Sequence, residues 1–265
     1  MNAQINNISM AYDDSGGDGD PVLWVHGFPL NRTFWKGQVE ALSADARHIV
    51  PDLRGFGESD VPSGNYTMDL YANDLRALMD HLNVGRAVIA SLSMGGYVAL
   101  AFARQFPDRL RGLILADTRA AADTAEAAKG RRDNADRVLS EGPVPVLESM
   151  IDKLTSPDTA SQKPEVVETL RGMLAASDPQ GIAGALRAMA ERPDSTPGLS
   201  RIEVPCLVIV GAEDVITPPK DSRFLAEQIP GAQLVEISGA GHVPNLEQPA
   251  AFNAAVRSFL KSLNR

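Results

Sequence analysis

Short apolar runs rich in β-branched residues alternate along this chain with longer stretches whose apolar positions recur at helical spacing. Pro21-Val22-Leu23-Trp24-Val25, Arg47-His48-Ile49-Val50-Pro51, Arg86-Ala87-Val88-Ile89-Ala90 and the run from Arg109 to Ala116 read as buried strands. Leu70, Tyr71, Leu75, Leu78, Met79 and Leu82 mark a helix over 68–82, and an Ala-rich segment from Tyr97 to Ala103 marks a second. Ile5 to Tyr12 alternates loosely and predicts an opening edge hairpin, closed by the polar, turn-rich run from Asp13 to Gly19. Near the C-terminus the strand pattern resumes over 204–210 and 232–237, and an amphipathic helix covers 250–263. Strand–helix alternation of this kind predicts an α/β fold with a mostly parallel sheet flanked by helices.

Between about 119 and 198 the rhythm changes. Only helical patches occur there, broken by prolines, with Ile182, Leu186 and Met189 on one stripe and Val166, Leu170 and Met173 on another. Asp178-Pro179 opens one of these helices as N-cap and first-turn residue. The expected division is a core of residues 1–118 and 199–265 with a helical cap, 119–198, inserted into it. The cap contains no Phe, Tyr or Trp.

With 265 residues the chain is long enough for one large core plus such an insertion. Its net charge of −9 argues against nucleic acid and anionic membrane as partners, since both need a basic face. The first residues lack the order of a signal peptide, and no run reaches the roughly 18 apolar residues of a membrane span. A cytoplasmic protein is expected. Cys206 lies in an apolar run and reads as a buried strand residue. Oligomeric state leaves no mark in the sequence.

Candidate chemistry centres on Ala90-Ser91-Leu92-Ser93-Met94-Gly95-Gly96, at the junction of a strand and a helix. Small residues two positions either side of Ser93 allow a sharp turn that lifts its side chain clear of the sheet, so Ser93 is the candidate nucleophile. Of four histidines, His81 lies within a helix and His48 in a strand, while His26 precedes the nucleophile in a loop. His242, in a glycine-rich loop after the last strand, is the best candidate base. A base needs a carboxylate to hold its tautomer. Asp214, after the preceding strand, is best placed; Glu213 beside it and Asp117 at the end of an earlier strand are rivals. The chain order Ser93, Asp214, His242 is that of the α/β-hydrolases. No metal-ligand spacing or cofactor fingerprint occurs, so no metal and no cofactor are expected.

These motifs resemble the α/β-hydrolase superfamily, and within it helical-capped serine esterases of the 3-oxoadipate enol-lactonase and cofactor-free haloperoxidase-esterase type. The resemblance rests on His-Gly-Phe-Pro at 26–29, Asp-x-Arg-Gly-x-Gly-x-Ser at 52–59, the Ser93 turn, Gly-x-x-Asp at 211–214 and Gly-His at 241–242. Ser91 stands where the family usually has glycine. The resemblance implies an oxyanion hole from the backbone N–H groups of Phe28 and Met94, and a supporting role for the 52–59 turns. It also implies a small-molecule ester or lactone substrate; because the cap lacks aromatics, the expected contacts are Leu147 and Met150 from the cap, and Phe28 with Trp35, close to it in sequence, from the core. A serine apex argues against dehalogenase and epoxide-hydrolase chemistry, which in this superfamily uses an aspartate. Carboxylic ester hydrolysis is the expected activity; lactone or carbon–carbon bond hydrolysis with the same three residues, and a non-catalytic ligand receptor, are the alternatives.

Overall fold

The computed structural model describes residues 1–263 of the chain. Eight strands among them form one sheet: β1 (Asn2–Ile5), β2 (Ile8–Asp14), β3 (Pro21–Val25), β4 (Arg47–Pro51), β5 (Ala87–Leu92), β6 (Leu110–Ala116), β7 (Cys206–Gly211) and β8 (Gln233–Ile237), in the spatial order β1-β2-β4-β3-β5-β6-β7-β8. From β4 to β8 neighbours run parallel, and only the β1–β2 and β2–β4 pairs are antiparallel. Parallel strands covered on both faces must be apolar throughout, and β5 and β7 are buried at every position.

The opening hairpin differs from its expected bounds. β1 begins at Asn2, and Ile5 pairs with Ile8 across a two-residue turn of Asn6 and Asn7, both with positive φ (45° and 65°). Asparagine tolerates the left-handed region better than other residues with a side chain, so it can close a tight hairpin without glycine. β2 is no edge strand: it runs on through Asp13 and Asp14, read from sequence as turn, to pair with Val50 and Ile49 of β4.

Helices α1 (Lys36–Ala41), α2 (Met68–His81) and α3 (Met94–Gln105) lie between the first six strands. Five more separate β6 from β7: α4 (Ala125–Glu141), α5 (Val144–Leu154), α6 (Thr159–Gln162), α7 (Pro164–Ala175) and α8 (Pro179–Ala190). Asp178 caps α8, its Oδ1 accepting from the N–H groups of Gln180 and Gly181 at 2.8 and 3.3 Å. The chain closes with α9 (Pro219–Gln228), α10 (Pro244–Glu247) and α11 (Pro249–Ser262). No helix among the described residues is long and apolar enough to cross a membrane.

The adjacent parallel strands β5, β6, β7 and β8 discharge their chains at one sheet edge. Ser93, Asp117, Asp214 and His242 all belong to the loops or turns that follow them. That is the edge where open α/β sheets place their ligand chemistry.

Candidate active site

Ser93 sits between β5 and α3 with φ 52° and ψ −113°, a strained conformation for a residue with a side chain. Three hydrogen bonds hold it there. Its N–H donates to Ala116 O (3.0 Å), and its carbonyl accepts from Gly96 N (2.9 Å) and Thr118 Oγ1 (2.8 Å). Ser91 is buried and donates from Oγ to Ile114 O at 2.9 Å, so a serine in place of the usual glycine keeps its hydroxyl satisfied across to β6. On the other flank there is no room at all. A Cβ on Gly95 would stand 2.5 Å from Val25 O and 2.8 Å from His26 O, both backbone atoms. Gly95→Ala should therefore push α3 away from β3, at a cost of about 1–3 kcal/mol or more. Its denaturation midpoint and kcat/KM should both fall, and an unaltered midpoint would mean the turn is looser than it looks.

Asp214 and His242 meet. His242 Nδ1–H donates to Asp214 Oδ2 at 2.8 Å, and both residues are buried. With the proton on Nδ1, the basic nitrogen of the neutral ring is Nε2. Asp214 receives three further donors: Ile216 N (2.8 Å) and Thr217 N (3.1 Å) on Oδ1, and Thr217 Oγ1 (2.8 Å) on Oδ2. Burial works against the Asp214 charge. The His242 ring and the hydrogen bonds from His242, Thr217 and Ile216 outweigh it and hold the carboxyl below the usual carboxylate range. Glu213, the neighbouring rival, is exposed. The loops that carry Asp214 and His242 touch through backbone: a Cβ on Gly211 would fall 1.9 Å from Gly241 O. Glu213 N donates to Ala240 O at 2.9 Å.

The remaining sequence candidates sort by their partners. His48 is buried between Trp24 Nε1, which donates to its Nδ1 at 3.0 Å, and Leu42 O, 2.9 Å from its Nε2. His81 is exposed. His26 Nε2 accepts from Leu53 N at 3.1 Å, which puts its proton on Nδ1, 2.9 Å from Gly27 O. Burial keeps the pKa of this ring below the ordinary histidine value, and the ring ties the 26–29 loop to the 52–59 segment. Asp52 extends that tie: its carboxylate accepts from Arg32 N (2.6 Å), Glu58 N (2.9 Å) and the Arg32 guanidinium. Met94 is the first residue of α3, so its N–H has no partner within the helix.

Of the expected substrate contacts, Phe28 is 6% exposed and Met150 half-buried, while Leu147 is fully enclosed. Trp35 requires a correction. Its ring packs in the core against Trp24 and Phe34, each with centroids 4.9 Å away, and against Phe252 at 6.1 Å, with nothing left exposed. Cys206 is buried as expected, its thiol pushed up to about 12 by desolvation, which rules it out as a nucleophile near neutral pH.

Two contributors escape sequence reading. Thr217 serves Asp214 through both its N–H and its hydroxyl, and the available signal is an aspartate that can close an Asx turn onto the N–H two residues on, Ile216, with a threonine directly after it. Glu247 has no such signal. It is fully buried and accepts from Gly241 N (2.7 Å), Ser156 N (2.6 Å) and Thr159 Oγ1 (2.6 Å), fixing the residue before His242 to the segment after α5. His242 N adds a bond to Leu154 O at 3.0 Å. Among the described residues, the one cluster spaced to hold a metal ion is Asp117, Asp214 and His242, with one ligand atom from each inside 4.8 Å. His242 Nδ1 is already committed to Asp214 in that cluster.

The sequence matches a family model for the alpha/beta hydrolase fold over residues 20–249. It is 34% identical to 3-oxoadipate enol-lactonase 2 of Acinetobacter baylyi over 97% of this chain and 95% of that protein. A thermophilic esterase from Thermogutta terrifontis, solved with malate bound, superposes with a TM-score of 0.96 at 47% identity, covering 100% of this chain and 99% of the other. The enol-lactonase from Burkholderia xenovorans LB400 superposes with a TM-score of 0.92 at 31% identity, covering 98% and 100%.

Proposed function

The chain belongs to the alpha/beta-hydrolase family, and from that premise we propose that it is a serine-dependent carboxylic ester hydrolase working through an acyl-enzyme. The observation that carries this reading is the buried Asp214–His242 hydrogen bond on the sheet edge that also presents strained Ser93. In the proposed cycle His242 Nε2 takes the Ser93 proton as Oγ attacks the ester carbonyl. The oxyanion forms against the N–H groups of Phe28 and Met94. His242 then delivers the proton to the departing alcohol, and water activated by the same nitrogen frees the acyl group. Each oxyanion donor of this kind contributes about 2.7–4 kcal/mol to the transition state.

Similarity to the Thermogutta esterase at 47% identity favours esters, while the enol-lactonase relatives support an enol-lactone as the second substrate class. We read the five helices between β6 and β7 as the cap over this site. With no aromatic residue in 119–198, the cap offers aliphatic and methionine surface only. Each buried methylene of an acyl chain contributes about 0.8 kcal/mol until the space is full, so kcat/KM should climb and then fall along a series of aryl esters. The expected optimum lies within roughly two to eight carbons, from the size of site such a small cap can roof. An optimum beyond about twelve would overturn the small-site reading. Assaying an enol-lactone beside the esters separates the two substrate classes. Failure to turn over either would point to a ligand-binding role.

A further inference from the structure

Asp117 has no part in the cycle above, yet it is completely buried at the end of β6 and held at φ 45°, in the left-handed region. Its Oδ1 accepts from Gly211 N at 2.9 Å, and its own N–H donates to Ile209 O at 2.9 Å. Its Oδ2 is buried with no donor directed at it. A carboxyl oxygen of Asp117, one of Asp214 and a ring nitrogen of His242 lie within 4.8 Å of one another. Asp214 already has four donors of its own. Two ionised carboxylates this close would repel strongly.

We propose that Asp117 keeps its proton in the folded protein and donates it in a hydrogen bond to Asp214, so that the acid behind His242 is a carboxyl pair with one negative charge. Its kinetic consequence rests on the hydrolase reading; its proton does not. The surroundings agree. Burial, the charge of Asp214 beside it and the more distant charge of Glu247 all push Asp117 well above the usual carboxylate range, against a single opposing bond from Gly211 N. Burial opposes the charge of Arg119, two residues on, and the groups that favour that charge are Tyr97, Asp221 and Asp123 rather than Asp117. Asp117 thus acts as a positioning residue: it adds a further donor to an Asp214 carboxylate that already has four, and limits how strongly that carboxylate holds an imidazolium.

The first arm of the test needs no turnover. Above the ordinary carboxylate pKa of about 3.9, unfolding releases the Asp117 proton, so this residue's contribution to stability declines as pH rises, until its folded pKa is reached. Asp117→Asn is isosteric, keeps a neutral donor and lacks that proton. From about pH 5 upward, the unfolding constant of the wild type divided by that of Asp117→Asn should therefore rise about tenfold per pH unit and level off only above the folded pKa of Asp117. A flat ratio would mean that Asp117 is ionised and would overturn the proposal. The second arm is the acid limb of kcat/KM on an aryl ester. Asp117→Asn should leave its midpoint within a few tenths of a unit, whereas Asp117→Ala, which removes the donor, should move it upward. A midpoint lowered by a unit or more in Asp117→Asn would reveal a lost negative charge and contradict the pair. If neither protein hydrolyses esters but the stability ratio climbs, the shared proton stands and the hydrolase reading falls.

Discussion

Replacing Ser93 with alanine is expected to lower kcat for an aryl ester by about 10⁴–10⁶ while the folded structure survives. The size of the effect follows from the division of labour. Without Oγ there is no acyl-enzyme, and what remains is binding and the oxyanion donors acting on direct attack by water. The fold should hold because Ser93 is fixed by its backbone: the bonds to Ala116 O, Gly96 N and Thr118 Oγ1 involve no atom that alanine lacks. Ser91→Ala, which removes a hydroxyl bonded to Ile114 O, should be far milder in activity. The variants are compared by steady-state kinetics and by circular dichroism. Near-full activity in Ser93→Ala would discard the nucleophile.

Asp214→Asn should cost about 10⁴ in kcat with little change in KM. The geometry explains why so small a change acts so strongly. Both oxygens of Asp214 receive N–H or O–H donors, two on Oδ1 and two on Oδ2. An amide NH₂ at the first position would face Ile216 N–H and Thr217 N–H. At the second it would face the His242 proton and favour the tautomer with Nε2 protonated, which cannot accept from serine. Either orientation also leaves buried donors unpaired, so the denaturation midpoint should drop along with activity. If Asp214→Asn kept more than a tenth of wild-type kcat, the acid would have to be sought elsewhere, with Asp117 the first alternative.

Much of this arrangement was legible before any coordinates. The strands at 21–25, 47–51 and 110–116 declare themselves through β-branched runs, and α2 and α8 through apolar stripes, α8 with a clear N-cap at Asp178. The Ser93, Asp214 and His242 positions follow from motif order and from the habit of catalytic loops to follow strand ends. What stayed hidden has physical causes. α4, with 17 residues, buries only Ala128, Ala135 and Val138, because it packs closely on α8 through small side chains and leaves no broad apolar stripe to read. Nearness to Phe28 in sequence points Trp35 toward a substrate, whereas its ring, at the end of the 3₁₀ turn at Arg32–Trp35, is buried in a cluster with Trp24, Phe34 and Phe252. Asp117 could be placed at the right strand end but not given a protonation state, which depends on a neighbour 97 positions away in the chain and on complete exclusion from water.

The Glu247 carboxylate has a bearing on how the insertion could be exchanged or could move. The Glu247 side chain fastens residues 156 and 159 to Gly241, and Leu154 O takes the N–H of His242 itself, so the end of α5 is tied directly to the loop that carries His242. Any outward swing of that corner would dislodge His242, and a helical insertion grafted from a relative without matching donors at those two positions would strand the carboxylate among backbone groups.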